Sequence, residues 1–273
     1  MDYRFHNRDK VKVSIIGVET EVGKRLKVLF NDHTMFQVSD EEPNVTIDAS
    51  EMPFIQIGAG KNSVVLQPEI NGEKLLPSAD GFKVRHLSAP STLLALALYP
   101  LQKTFGITHA RAVTLLPVED LSIPSMDLLD NALLASDSIS VELQDLLGLQ
   151  VSSQSFRVNM SAGMLQLVSV GFPGKPKAEE IIECWKAFSA IPHMHGLPSA
   201  AQHPLQYFAE EGFPQPKRHR NLDSGKVVAI GSLKESQLYD YEFAIVSNPS
   251  VRGPIGGTLL NAEFLVKTGF IFW

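Results

Sequence analysis

The feature that most constrains this chain is its opening. A β-branched run, Val11-Lys-Val-Ser-Ile-Ile-Gly17, ends on glycine and passes within four residues into the segment 21–30. The run reads as a buried strand entering a tight turn. In the segment that follows, Val22, Leu26, Leu29 and Phe30 fall at helical spacing, which gives a helix one apolar face. Strand, glycine turn and helix open a βαβ unit, so the N-terminal part is committed to parallel strand pairing with a crossover helix. A length of 273 residues leaves room for one large or two modest domains, with enough core to need no staples.

Beyond the first helix the chain is polar and loop-like at 31–33 and 39–43. Short apolar runs then alternate with turn signals, at 45–47, 54–57, 64–66 and 84–87, punctuated by Pro68 and Asn71-Gly72. Ser91-Thr92 reads as the cap of a strongly apolar helix over 93–101, which Pro100 should kink or end. The pattern predicts a strand at 110–116, a mostly helical stretch over 125–149, and sheet strands at 156–160 and 164–171. A Pro/Gly-rich connection, 171–176, leads to a helix over 178–188. Residues 192–216 read as loop, 227–233 and 241–246 as strands, and 253–258 as a glycine turn into a closing helix. No internal repeat interrupts this order.

Charge narrows the function classes. There are 24 Lys and Arg against 30 Asp and Glu, a net charge of −6, which speaks against a nucleic-acid or anionic-membrane binder. The longest apolar stretch, 93–101, is too short to span a bilayer. The opening MDYRFHNRDKVKV lacks the apolar core of a signal peptide, so a cytoplasmic protein is expected. Cys184 is the single cysteine, which excludes an intramolecular disulfide and any multi-cysteine metal site.

Six landmarks, in order along the chain, carry a resemblance. They are Gly17-Val-Glu-Thr-Glu-Val-Gly23, Val64-Val-Leu-Gln-Pro-Glu-Ile-Asn71, Ser88-Ala-Pro-Ser-Thr92 with Lys103-Thr-Phe-Gly-Ile107, Phe156-Arg-Val-Asn-Met-Ser-Ala-Gly163, Phe213-Pro-Gln-Pro216, and Val246-Ser-Asn248 with Gly253-Pro-Ile-Gly-Gly257 and Ala262-Glu263. Together they resemble the aspartate-semialdehyde dehydrogenases and their acyl-phosphate-reductase relatives. The resemblance implies a fold of α/β and α+β parts. A truncated Rossmann-like nucleotide-binding domain (1–92, completed by the helix in 250–273) would stand beside a mixed-sheet dimerisation domain (93–249). It also implies NADP as cofactor and a homodimer, or a heterodimer with an active paralogue, through the middle sheet.

The departures from the family pattern weigh more than the matches. The family attacks its acyl carbon with a cysteine thiolate and passes hydride to or from a nicotinamide; the matching position here is Pro90. The preceding asparagine is Ala89, the substrate-positioning glutamine falls at Leu116, and the acid/base histidine at Met164. Of that set only Arg157 is retained, a residue suited to hold a carboxylate or phosphate. Ser91 is adjacent to Pro90, but no base is placed to activate it. Cys184 sits mid-helix, away from the glycine turns, and reads as a buried inert thiol.

The cofactor loop is also altered. Gly17, Thr20, Gly23 and Gly256 are the positions that match cofactor contacts. Thr20 puts a Cβ where the middle glycine belongs, and Glu19 and Glu21 put carboxylates where a phosphate would sit. The nicotinamide-side asparagine is Gly257, and no ribose-recognition residue is assigned between Phe30 and Val45. Gly17 and Gly23 then read as turn glycines kept for the backbone. The reading is therefore a catalytically degenerate member retained for binding, assembly or regulation, with no cofactor. Two alternatives stand beside it: an NAD(P)-dependent oxidoreductase with thiol-independent chemistry, and an anion or metabolite binder using Arg157. His193, His195 and His203 with Glu210 and Glu211 read as loop residues rather than a metal site, and Lys217-Arg-His-Arg220 as a solvated basic turn.

Overall fold

The computed structural model describes residues 10–118 and 128–272. The chain divides into two units. The first takes the residues up to His86, together with Pro192–Ser199 and the stretch from Pro254; the second takes Leu87–Ile191 and Ala200–Gly253.

In the first unit, β1 (Val11–Ile16) runs through the predicted turn into α1 (Glu21–Asn31), and β2 (Phe36–Val38) and β3 (Val45–Asp48) flank β1 in parallel on its two sides. β4 (Phe54–Gly58) is antiparallel to β3. Next come β5 (Ser63–Val65), the short α2 (Pro68–Asn71) and β6 (Gly81–Arg85), giving the sheet order β2-β1-β3-β4-β6-β5. On one face Val11, Val13, Ile15, Ile47, Ile55 and Val84 are buried. This is the period-two alternation of a half-covered sheet. α1 and the C-terminal helix (Pro254–Lys267) pack against these strands. The opposite face carries Lys12, Ser14, Thr46, Gln56 and Lys83, all partly exposed. The unit thus has two layers, where a doubly wound dinucleotide domain covers both sheet faces.

In the second unit, α3 (Ala89–Phe105) leads to β7 (His109–Leu116), β8 (Ala132–Ala135), α4 (Ile139–Leu147), β9 (Val151–Val158) and β10 (Met164–Gly171). Then follow α5 (Ala178–Ala187), β11 (Leu205–Phe208), α6 (Pro216–His219), β12 (Val228–Glu235), β13 (Tyr241–Ser247) and α7 (Pro249–Arg252). Seven strands form one mixed sheet in the order β11-β12-β13-β10-β7-β9-β8. α3 lies across β10, β12 and β13, α4 on β9 and α5 on β11. Trp185 of α5 is fully buried, its ring centroid 4.9 Å from that of Phe243, and its indole N–H donates to the Ala97 carbonyl at 2.9 Å.

Four expectations are corrected. The stretch 125–149 is not one helix: β8 and α4 occupy its described part, because Leu134 pairs with Phe156 across a ladder that local helix propensity does not reveal. The helix at 93–101 starts four residues earlier and ends four later. Ser88 is its N-cap and Pro90 sits in the first turn, where proline is favoured. Pro100 lies inside it without ending it, since Leu96, Leu98 and Leu101 on either side are fully buried and offset the lost hydrogen bond. β2 emerges between the two loop-like stretches, where no element is expected, and β11 from a segment read as loop; both are too short for a periodic signal. Lastly, 254–258 is helix from Pro254 onward rather than a glycine turn. Gly257 is required there because a Cβ would overlap the His86 ring. No helix among the described residues is long and apolar enough to cross a membrane.

Candidate functional site

The second unit holds a cavity of about 460 Å³ lined by the start of α3 (Ser88, Ala89, Pro90), by Leu116 and Pro117 at the end of β7, by Ser136–Ser138, by Arg157 of β9 and by Pro249 of α7. Three positions matched from sequence, Pro90, Leu116 and Arg157, are therefore brought to one place by three different elements. Two are apolar, so neither offers a nucleophile or a proton. Met164 is fully buried in β10 and is absent from the lining. Ser91 is buried beneath the helix start, its hydroxyl 2.9 Å from that of Ser88.

The polar scaffold of the cavity comes from residues that sequence reading passed over. Glu142 of α4, 5% exposed, accepts the Ser88 hydroxyl at 2.6 Å and the Ser88 N–H at 3.2 Å. The N-cap hydroxyl of α3 thus meets α4 and caps no backbone N–H of its own helix. Gln166 of β10 donates to the Pro90 carbonyl and to Thr114 Oγ1, both at 3.0 Å, and fixes the first turn from below. Asp137 accepts the Ser153 and Ser155 hydroxyls at 2.7 Å each and the Ile139 N–H at 3.2 Å. Both carboxylates are committed to internal donors. The Arg157 guanidinium, on the same β9 face as Ser153 and Ser155, has neither hydrogen bond nor ion pair among the described residues. Among the described residues it is the one cation of the cavity lining, which makes an oxyanion the complementary ligand.

In the first unit, Gly17 has φ +79°, and a Cβ there would stand 2.8 Å from the Ser50 nitrogen. At Gly23 a Cβ would overlap the Gly17 carbonyl oxygen and lie 2.7 Å from its carbon. Both glycines are demanded by the backbone itself. Thr20 is the N-cap of α1: its hydroxyl oxygen accepts the Gly23 N–H at 2.9 Å and lies 2.8 and 3.0 Å from the Gly17 and Ala49 carbonyls. Glu21, exposed, pairs with Lys24 at 2.8 Å, and that hydrogen bond holds its carboxyl below the usual range. Gly256, half-exposed, lies in the first turn of the C-terminal helix.

The remaining candidates resolve into structure. Cys184, half-buried on α5, lies 3.4 Å from Thr104 Oγ1, and burial pushes its thiol up from the ordinary value. His193, His195 and His203 are exposed, and no group of three metal-ligating side chains occurs among the described residues. In the basic run, His219 is buried between Phe208 and Phe213, while Arg218 stacks over Phe213.

No family model matches the chain. Among curated proteins, aspartate-semialdehyde dehydrogenase of Aspergillus fumigatus is 30% identical over 172 residues, 55% of this chain and 47% of that protein. The enzyme of Methanothermobacter thermautotrophicus is 28% identical over 206 residues, 68% of this chain and 59% of that protein. The chain thus spans less than two thirds of the length of these relatives. A crystal structure of aspartate-semialdehyde dehydrogenase with NADP from Candida albicans superposes with a TM-score of 0.80 at 18% identity. The match covers 96% of this chain and 100% of that one.

Proposed function

From the chain's membership of the aspartate-semialdehyde dehydrogenase family, we propose that it is a non-catalytic member that binds a small acidic ligand at Arg157 and assembles through the sheet of its second unit. One observation carries the binding part. A guanidinium without a partner among the described residues faces a cavity in which the position of the family's nucleophile is Pro90. With no partner among the described residues, the guanidinium of Arg157 gives the fold only the packing of its stem, whereas with a carboxylate or phosphate it forms charge-assisted hydrogen bonds worth about 1.5–3 kcal/mol each. Among the described residues the lining holds no cysteine to form the thioester intermediate of the family's reaction, and no histidine to activate its serine hydroxyls.

The test is calorimetric titration and thermal shift with inorganic phosphate and with aspartate. Saturable binding should fall roughly 10- to 150-fold in Arg157→Ala, the equivalent of one such charged hydrogen bond. The melting temperature without ligand should stay unchanged. Equal affinity in the variant would remove the proposal.

The assembly part is supported by the face of the seven-stranded sheet turned away from α3. There Leu134 and Leu167 are 74% and 50% exposed. Arg111, Lys234 and Glu242 line the same face beside Leu167. Both charge signs on one apolar surface suit a second copy related by a two-fold axis. A second reading, an oxidoreductase working without a thiol, is favoured by the fold shared with the Candida albicans enzyme bound to NADP.

A further inference from the structure

We infer that the glycine turn of the first unit is closed by its own threonine and that this unit takes no dinucleotide. In a βαβ nucleotide site the pyrophosphate lies against backbone N–H groups at the carboxyl edge of the parallel strands, where the first helix begins. Here two of those donors are taken by the protein itself. The Gly23 N–H is given to Thr20 Oγ1 at 2.9 Å and the Thr20 N–H to the Gly17 carbonyl at 3.0 Å. The same hydroxyl reaches the Ala49 carbonyl at 3.0 Å, just past the end of β3, so one side chain spans the gap between turn and sheet edge. Threonine thus occupies the volume that a middle glycine would leave to a phosphate.

The charge along that edge opposes the ligand as well. Glu19 and Glu21 are exposed at the turn and the first helical residue, and the hydrogen bond from Lys24 lowers the Glu21 carboxyl from its ordinary value. After β2 the chain continues through Asp40-Glu41-Glu42. Asp40 is anchored there by the Ser14 hydroxyl at 2.7 Å. A 2′-phosphate needs an arginine at this position, and the run supplies three carboxylates; a carboxylate here would suit the free ribose 2′-hydroxyl of NAD, so NAD is opposed by the closed turn alone. The family's cofactor and the residues present therefore do not fit.

The experiment titrates the full chain with NADP, NADPH, NAD and NADH to millimolar concentration, by calorimetry and nicotinamide fluorescence. Thermal melts of wild type, Thr20→Gly and Thr20→Ser accompany it. The expected result is no saturable binding of any dinucleotide by wild type, a lower melting temperature for Thr20→Gly, and recovery by Thr20→Ser, which keeps the hydroxyl. Saturable one-to-one binding by wild type, or a Thr20→Gly variant that melts with wild type, overturns the inference. Neither outcome touches Arg157, so the ligand proposed for the second unit stands or falls separately.

Discussion

Replacing Gly23 by alanine sets two effects of opposite sign against each other. Gly23 lies inside α1, and an ordinary helix interior gains about 1 kcal/mol when glycine becomes alanine. Here the new methyl group would overlap the Gly17 carbonyl oxygen and stand 2.7 Å from Gly17 C and 2.8 Å from Val18 Cα. Carbon atoms prefer separations near 3.5–4.0 Å, so helix and turn must part by roughly 1 Å. Both neighbours are backbone, with no flexible side chain to swing away. Overpacking of this kind costs about 1–3 kcal/mol. Parting helix and turn also loosens the Thr20 cap on the Gly23 N–H, a contact worth about 1 kcal/mol. Taken against the helix gain, the sum is a loss of roughly 1–3 kcal/mol. Urea denaturation of wild type and Gly23→Ala measures it directly. A variant as stable as wild type, or more stable, would show that helix propensity wins. The turn would then be open, and its glycines would serve something other than packing.

Cys184 should resist alkylation. Burial raises its thiol pKa and the Thr104 hydrogen bond lowers it by less, so the thiolate fraction at a given pH is smaller than in the unfolded chain. Iodoacetamide should label the native protein more slowly than the urea-unfolded protein, and Thr104→Val should slow it further. Equal native and unfolded rates would contradict this. For assembly, Leu167→Asp places a charge at a half-exposed position of the open sheet face. It should shift stability by only about 0.5 kcal/mol, yet lower the mass in sedimentation equilibrium from dimer to monomer. A wild-type monomer at high concentration would reject the proposed dimer.

Local patterns in the sequence determined the elements whose chemistry is local. β1, its glycine turn and α1 were legible because a β-branched run, a positive-φ glycine and a helical apolar stripe lie within twenty residues. β10, over Met164–Gly171, was legible because its alternation is regular. The residue types at three matched positions were legible too, since proline, leucine and methionine at 90, 116 and 164 carry no nucleophile, amide or imidazole in any fold. β2 and β8, by contrast, owe their existence to a partner strand distant in sequence, and no window of three or four residues carries that information.

Only the tertiary structure decided what the retained residues do. Thr20 looked like an obstruction and proves to be a cap, because Ala49 arrives beside it from β3. Glu142 and Gln166 carried no motif, and they hold the start of α3 from 54 and 76 residues away. Arg157 could have been a partner for either carboxylate near it. Asp137 is satisfied by two serines and a backbone N–H, and Glu142 is turned toward Ser88. That arrangement leaves the guanidinium facing the cavity. The sequence settles which atoms are present. Long-range folding settles which of them are already satisfied, and a site is made by the ones that are not.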